Sequence, residues 1–460
     1  MTPFAISCVK PDSTPSPPPG FLWASPLSTA ETSVTLPEQA KSLWHSLADT
    51  QQLARAIVPL ADTTARDVIR SYTAHDLCYW AYRDRDIRIA GFGVAACPDL
   101  SLTATQELLA SAKLIGEAPA EARRARAYLG ASFAAGDEGI GALGRRRLVV
   151  PAIEIIDLGE NSYLAVNRMP DATFPELRSS QNSPFAIDSG HSVPDQAGWC
   201  EAVSHALHEL RIGTLTKVVL SRKVVFDLQK SLPIGRLFAH FADRTPAAFH
   251  CLHKSGEDVF FALTPERLFR MRDRHVESEA VAGTRLRGHN DPHDTKLGEE
   301  LLESDKDRRE HRNVVEHVVR TLRALGGDVT AEEQPSLRKL PRVQHLYQRI
   351  DCQLPAGVTT DSVLSTLHPT PAVCGEPPAT SLSLLQRLEP FSRGWYAGPV
   401  GVISADEVDL AVGIRAGAVE AGTLSLFAGA GIVDGSEPLA EWHETEAKLA
   451  WMLELLQEPW

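Results

Sequence analysis

The sequence predicts an α+β fold built on antiparallel sheets, and three observations carry that prediction. Strand-like runs cluster: "IRIAGFGVAA", "ARAYLGASFA", "LVVPAIEIIDL" and "NSYLAVN" in the first part, "KVVLSRKVVF" in the second. Helical stretches interrupt them irregularly, without the regular alternation of a doubly wound sheet. No short-period repeat runs through the chain, so a solenoid is excluded.

Taken in order, residues 1–20 are rich in Pro and Ser and read as a flexible tail without the apolar core of a signal peptide. Residues 21–170 form the N-terminal part of the fold, with helical periodicity around 37–57 and a helix near 104–117 among the strands. Residues 171–198 are turn-rich without periodicity and predict a linker or long loop. From Trp199 to residue 460 the pattern is denser: helix, strand, helix, more strands, a long charged helix at about 294–324, strands and a final helix.

Composition narrows the function classes. A formal net charge of −13 argues against nucleic acid or an anionic membrane as partner, while leaving a small anionic substrate open. Seven scattered cysteines with no C-x-x-C pair suit a reducing cytoplasm and no zinc site. No apolar run approaches the length of a membrane span.

Two helical stretches share one design. In "GSEPLAEWHETEAKLAWML", Ser436 is a natural N-cap and Pro438 suits the first turn. Glu441, Glu444 and Lys448 share a narrow arc beside a stripe of Leu449, Met452, Leu453 and Leu456. In "SDKDRREHRNVVEHVVRTL", Asp307 and Glu310 stand in the same relation to Val315, Val318, Val319 and Leu322, at one constant offset. Packed side by side, the helices would bring four carboxylates together, and a divalent cation would relieve their repulsion. Oxygen-only ligands predict Mg²⁺, shared with an anionic substrate. The plainer alternative is two solvated faces of amphipathic helices.

The flanking blocks carry a resemblance. "EHRNVVEHV", "HPTPAVCGEP", "RGWYAGPVGVI", "VGIRAGAV" and "AGAGIVDGSEPLAEWHETEAKL" together resemble the chorismate-utilising enzymes, which include isochorismate, salicylate, anthranilate and aminodeoxychorismate synthases. The resemblance covers about 199–456; upstream, "FLWASPLSTAETS" resembles the start of the isochorismate synthases that feed catechol siderophores. It implies a sandwich of antiparallel sheets flanked by helices. It also implies that Glu310 and Glu441 or Glu444 hold Mg²⁺, with Asp307 close by, and that the metal grips the ring carboxylate of chorismate.

Isochorismate formation needs a base for the attacking water, an acid for the leaving hydroxyl and fixed cations for the dianion. Lys217 opens an apolar strand in "TLTKVVLSRK" and matches the family's base; a solvated strand-end lysine is the plainer reading. Glu266 in "FFALTPERLF" is the acid candidate, the alternative being a salt bridge to Arg267 or Arg270. The family form is usually G-x-S-P-E, from which Ala262-Leu263-Thr264-Pro265-Glu266 departs while keeping Pro-Glu. Arg415 in "GIRAG" is suited to a bidentate grip on a carboxylate, or else to a cross-strand ion pair. The resemblance adds Tyr396 and Lys448 as supporting donors.

Gly429 and Gly431 permit close approach and leave N–H groups for an anion. "ESEAVAGTRLRG" lacks the phosphate-loop spacing; the resemblance instead places Gly283 and Thr284 at the substrate, with Ala282 where aminodeoxychorismate synthases carry a nucleophilic lysine. "HPTPA" replaces the H-P-A-G-T of anthranilate synthases, and both departures point to water as nucleophile, with no glutaminase partner. His345 in "RVQHL" matches a further substrate-contacting position, His368 reads as a loop-shaping residue, and Cys374 as a packed thiol. The expectation is a cytoplasmic, Mg²⁺-dependent isochorismate synthase. Its rivals are a salicylate synthase, which goes on to eliminate pyruvate, and a non-catalytic metabolite-binding relative.

Overall fold

The computed structural model describes residues 35–98, 101–180, 187, 190–339 and 343–458. The tail at 1–20 and "FLWASPLSTAETS" lie outside them.

Two large sheets dominate. The thirteen-stranded sheet runs from His191–Val193 through Lys217–Asp227, Thr423–Ile432, Ala416–Glu420, Asp258–Thr264, Phe249–Ser255, Asp76–Ala81, Ile87–Phe92, Ile153–Leu158, Asn161–Arg168 and Ala54–Leu60 to Lys113–Ile115, with Gly375–Glu376 paired to Lys217–Asp227. The nine-stranded sheet runs from Asp328–Ala331 through Val343–Gln353, His275–Leu286, Arg267–Arg272, Glu407–Val412, Pro399–Ile403 and Ala127–Ala131 to Arg146–Val149, with Ser336–Lys339 paired to Val343–Gln353. Pairing in both is antiparallel, except that Ala54–Leu60 meets Lys113–Ile115 in parallel. The predicted α+β class holds, and residues on both sides of 199 contribute strands to both sheets.

Both sheets are buried on long stretches, as in Lys217–Phe226 and Glu407–Val412, where apolar runs are interleaved with buried polar groups such as Lys217, Arg222 and Asp409 that find partners inside. Their inner faces share one core, where Phe260 of the larger sheet meets Trp395, next to the smaller, at 5.7 Å between ring centres. Burial on this scale, at about 25 cal/mol per Å² of apolar surface, is the main stabilising term.

Several element boundaries differ from the sequence reading. The helix at 37–57 ends at Ser46, and Ala54–Leu60 is a strand buried at Ala54–Ile57. The second helix is Leu102–Ala110. Pro151 splits "LVVPAIEIIDL" into two strands that belong to different sheets. The long charged helix is two helices, Asp291–Glu303 and Asp305–Ala324, broken at Ser304, whose hydroxyl caps the second by accepting from the Asp307 N–H at 3.3 Å. The final helix is Pro438–Gln457 with Glu437 at its N-cap; Ser436 stands one residue earlier and accepts from the Val433 N–H at 3.2 Å. Within 171–198, short strands at Arg178–Ser179 and His191–Val193 break an otherwise irregular path.

Candidate active site

Two of the chain's crossings between the sheets are adjacent, and each carries a predicted functional residue. At Pro265-Glu266 it leaves Asp258–Thr264 of the larger sheet for Arg267–Arg272 of the smaller. At Gly413–Arg415 it returns from Glu407–Val412 to Ala416–Glu420. The crossings are laced together: the Val412 N–H donates to the Glu266 carbonyl at 3.1 Å, and the Leu263 N–H to the Arg415 carbonyl at 3.2 Å. Glu266 and Arg415 are therefore fixed side by side at the seam.

Glu266 is buried, and its N–H donates to the Thr264 hydroxyl at 3.2 Å, so threonine supplies the turn acceptor where the family pattern has serine. Neither alternative salt bridge forms: Arg267 pairs with Asp84 and Asp409, and Arg270 with Glu277. Burial, then the charge of Glu279, pushes the Glu266 carboxyl up to about 8, against the opposing pull of Lys217 and Arg83. At neutral pH the carboxyl is mostly protonated.

Lys217 is 1% exposed at the start of its strand, which rules out the solvated reading, and its Nζ donates to Glu310 Oε1 at 2.8 Å. The neighbouring strand explains how two such groups fit. A Cβ at Gly431 would stand 3.1 Å from Lys217 Cε and 3.2 Å from Glu310 Oε1, and one at Gly429 would stand 3.1 Å from the Tyr396 hydroxyl. The register also turns these glycines outward. Val219 and Ser221, opposite them, spend their N–H groups on the Cys374 carbonyl and the Glu389 carboxylate. In an antiparallel ladder the paired Gly431 and Gly429 must then face the opposite edge. There the Gly429 carbonyl takes the Lys448 ammonium at 3.1 Å.

Arg415 has a left-handed backbone, φ 51°, and forms no ion pair among the described residues, so the cross-strand alternative is excluded. Desolvation alone brings its guanidinium down to about 10. Among the described residues its guanidinium contacts His345 Nε2 at 3.3 Å. Burial, with Arg415 and Lys448 nearby, drives His345 down to about 3, so the ring is neutral. Its Nδ1 faces the Gly283 carbonyl at 3.3 Å and the Thr284 hydroxyl at 3.0 Å, which assigns the proton to Nδ1 and leaves Nε2 to accept from Arg415. Gly283, at φ +75°, is the bulge residue that brings Thr284 opposite His345. Tyr396 is buried and stacked on Phe427, ring centres 5.0 Å apart.

The carboxylate helices depart from the convergence that the sequence suggests. They lie on different sheets, Asp305–Ala324 on His275–Leu286 and Pro438–Gln457 on Thr423–Ile432, rather than side by side. Their buried stripes keep Val318 and Leu322, and Leu449 and Met452, but reach further round to His311, Val314 and Thr321 and to Thr445 and Leu455, leaving Val315, Val319, Leu453 and Leu456 partly buried. Asp307 pairs with Arg285 at 2.9 Å and Glu444 with Lys448 at 2.6 Å, the latter at the surface. As the side chains stand, no three His, Cys, Asp or Glu groups among the described residues are set to hold a metal.

Glu310 and Glu441 remain the central pair, both within reach of Lys306 and Lys448. Burial raises the Glu310 carboxyl, but Lys217 outweighs it and holds the group below the usual carboxylate range. Glu441 is buried without an ion pair among the described residues, and desolvation raises it, with Glu444 adding to the effect. Mg²⁺ retains waters and binds through one or two carboxylates plus an anionic substrate, so this donor set fits it.

Elsewhere, Cys374 is a buried thiol raised to about 12 by desolvation, and His368 packs under the Phe133 carbonyl at 2.9 Å. "ESEAVAGTRLRG" falls on a strand rather than a phosphate loop. Sequence reasoning missed Arg83 and Glu279, which grip the Glu266 turn from 196 positions apart and have no local signature.

The pattern described as chorismate binding enzyme matches residues 39–457. The chain belongs to that family. It is 35% identical over 342 residues to a chloroplastic isochorismate synthase of Catharanthus roseus, covering 69% of this chain but only 59% of that one. An isochorismate synthase of Pasteurella multocida is 36% identical over 292 residues, 62% of this chain and 68% of that one. Among solved structures, the menaquinone-specific isochorismate synthase of Escherichia coli superposes with a TM-score of 0.77 at 26% identity, covering 91% of this chain and 99% of that one. The family accounts for both sheets. No helix among the described residues is long and apolar enough to cross a membrane.

Proposed function

We propose that the chain is an isochorismate synthase, converting chorismate to isochorismate by adding water at C2 while the C4 hydroxyl leaves. One observation carries the reading: a buried glutamic acid, neutral at pH 7, and a buried lysine lie within electrostatic reach of each other across the seam. The similarity to named isochorismate synthases supports it.

In this reading Lys217 takes the proton of the attacking water, and Glu266 delivers its proton to the departing C4 oxygen. One water enters and one leaves, so the ring is isomerised without net hydration. Arg415, held by neutral His345, receives a substrate carboxylate, with Tyr396, Lys448, Thr284 and the N–H groups at Gly283, Gly429 and Gly431 completing the polar lining. Glu310 and Glu441 would hold Mg²⁺, with Glu444 and Asp307 beside them; when bound, the ion supplies charge for the ring carboxylate. Free thiols at Cys78, Cys97, Cys200, Cys251, Cys352 and Cys374 support a reducing, cytoplasmic setting.

The test is to incubate the protein with chorismate, with and without Mg²⁺, and separate the products. Isochorismate without pyruvate is the expected outcome. Equal salicylate and pyruvate would make the chain a salicylate synthase, and no product would overturn the catalytic reading. Lys217→Ala and Glu266→Gln are each expected to lower turnover by about 10³-fold or more, with the fold retained by circular dichroism.

A further inference from the structure

We propose that Glu279 is the positioning residue of the acid: it clamps the backbone on both sides of Glu266 and holds a fixed negative charge against its carboxyl. The proposal rests on the reading of Glu266 as proton donor.

Glu279 is buried on His275–Leu286, in the sheet that the chain enters just after Glu266. Its Oε1 accepts from the Arg267 N–H at 2.8 Å, which ties down the residue after the acid. Arg83 grips the same carboxylate with both terminal nitrogens, at 2.7 and 3.0 Å, and donates from one of them to the Pro265 carbonyl, which ties down the residue before. Arg338 adds a third donor at 3.0 Å. The turn is thus held from both ends by one carboxylate and the guanidinium it orients, a geometry that fixes where the Glu266 side chain leaves the backbone.

The charges give this brace a second effect. Burial alone would raise Glu279, but Arg83, Arg338 and the Arg267 amide hold it below the usual carboxylate range, so it stays ionised. Glu266 has no such donors among the described residues and is raised, with Glu279 the largest charged contributor. The groups acting on Glu266 are Glu279 from the smaller sheet, Lys217 from the larger and Arg83 from the turn after Asp76–Ala81, with the Tyr396 phenol close by. Two neighbouring carboxyls are driven apart, one kept charged so that the other stays protonated.

The experiment is the pH dependence of kcat for chorismate turnover, paired with infrared titration of the protonated-carboxyl band that Glu266→Gln removes. In the unaltered protein the alkaline limb should fall near pH 8. Glu279→Gln removes a negative neighbour, eases ionisation of Glu266 and should shift both limb and band acidward, on the order of one pH unit. Arg83→Met leaves Glu279 paired with Arg338 and should shift them the other way, which serves if Glu279→Gln does not fold. Loss of kcat or thermal stability with limb and band unmoved in both variants would reduce Glu279 to a structural ion pair and overturn the proposal. A Glu266→Gln protein that keeps turnover and limb would instead overturn the acid assignment itself, so the two failures read differently.

Discussion

The helices Asp305–Ala324 and Pro438–Gln457 carry carboxylates at the same spacing, yet the strands beneath give those carboxylates different lives. On the first, Asp307 and Glu310 are each answered by a cation from the smaller or larger sheet, Arg285 and Lys217. On the second, Glu441 is buried with no ion-pair partner among the described residues, while Glu444 is held at the surface by Lys448 of its own helix. Spacing sets where a carboxylate points; the neighbouring sheet decides whether it is neutralised before any ligand arrives.

Glu310→Gln should break the comparison hardest. It strips Lys217 of its counter-ion in a nearly closed site, so turnover should fall about 10³-fold and the metal-free protein should lose about 2 kcal/mol by denaturant unfolding. An unchanged Mg²⁺ titration would remove Glu310 from the metal site. Glu441→Gln should do the reverse to stability. With the buried charge gone and the Ser436 hydroxyl still able to donate to the amide oxygen, the metal-free melting temperature should hold or rise, while the gain from saturating Mg²⁺, about 2.7 kcal/mol at a hundredfold excess over Kd, should disappear. A metal-free protein that melts lower would show that the Ser436 hydroxyl, with Lys306 and Lys448 nearby, already stabilises the charge. Glu444→Gln should be mildest, since a surface pair within one helix is worth under about 1 kcal/mol. A collapse of Mg²⁺ response in this variant, with Glu441→Gln unaffected, would reverse their ranking as ligands.

The candidate site was marked out by short blocks that resemble the chorismate-utilising enzymes; taken alone, a lysine opening an apolar strand, Pro-Glu at a turn and Gly-x-Gly each kept a plain structural reading. Strand-rich stretches were legible from their apolar runs. Less local features were lost. The break at Ser304 depends on one hydroxyl choosing to cap rather than continue, and the helical pattern on either side hides it. The wider reach of the buried stripes follows from each helix lying on its own sheet, a fact that periodicity does not contain. The brace of Arg83 and Glu279 joins residues far apart in the chain, and an ion pair of that separation leaves no pattern to read.

Glu266, the proposed acid, sits where the chain crosses from one sheet to the other, and Lys217, the proposed base, sits on a strand of one sheet alone. The distance a proton donor must keep from its partner base is therefore a measure of how far apart the two layers ride. Substitutions in the shared core, such as at Phe260 or Trp395, touch no reacting atom but act as shims in a vise. With Glu266 and Lys217 in the proposed roles, thinning or thickening that packing would retune the chemistry, which makes the core part of the proposed mechanism as well as of the stability.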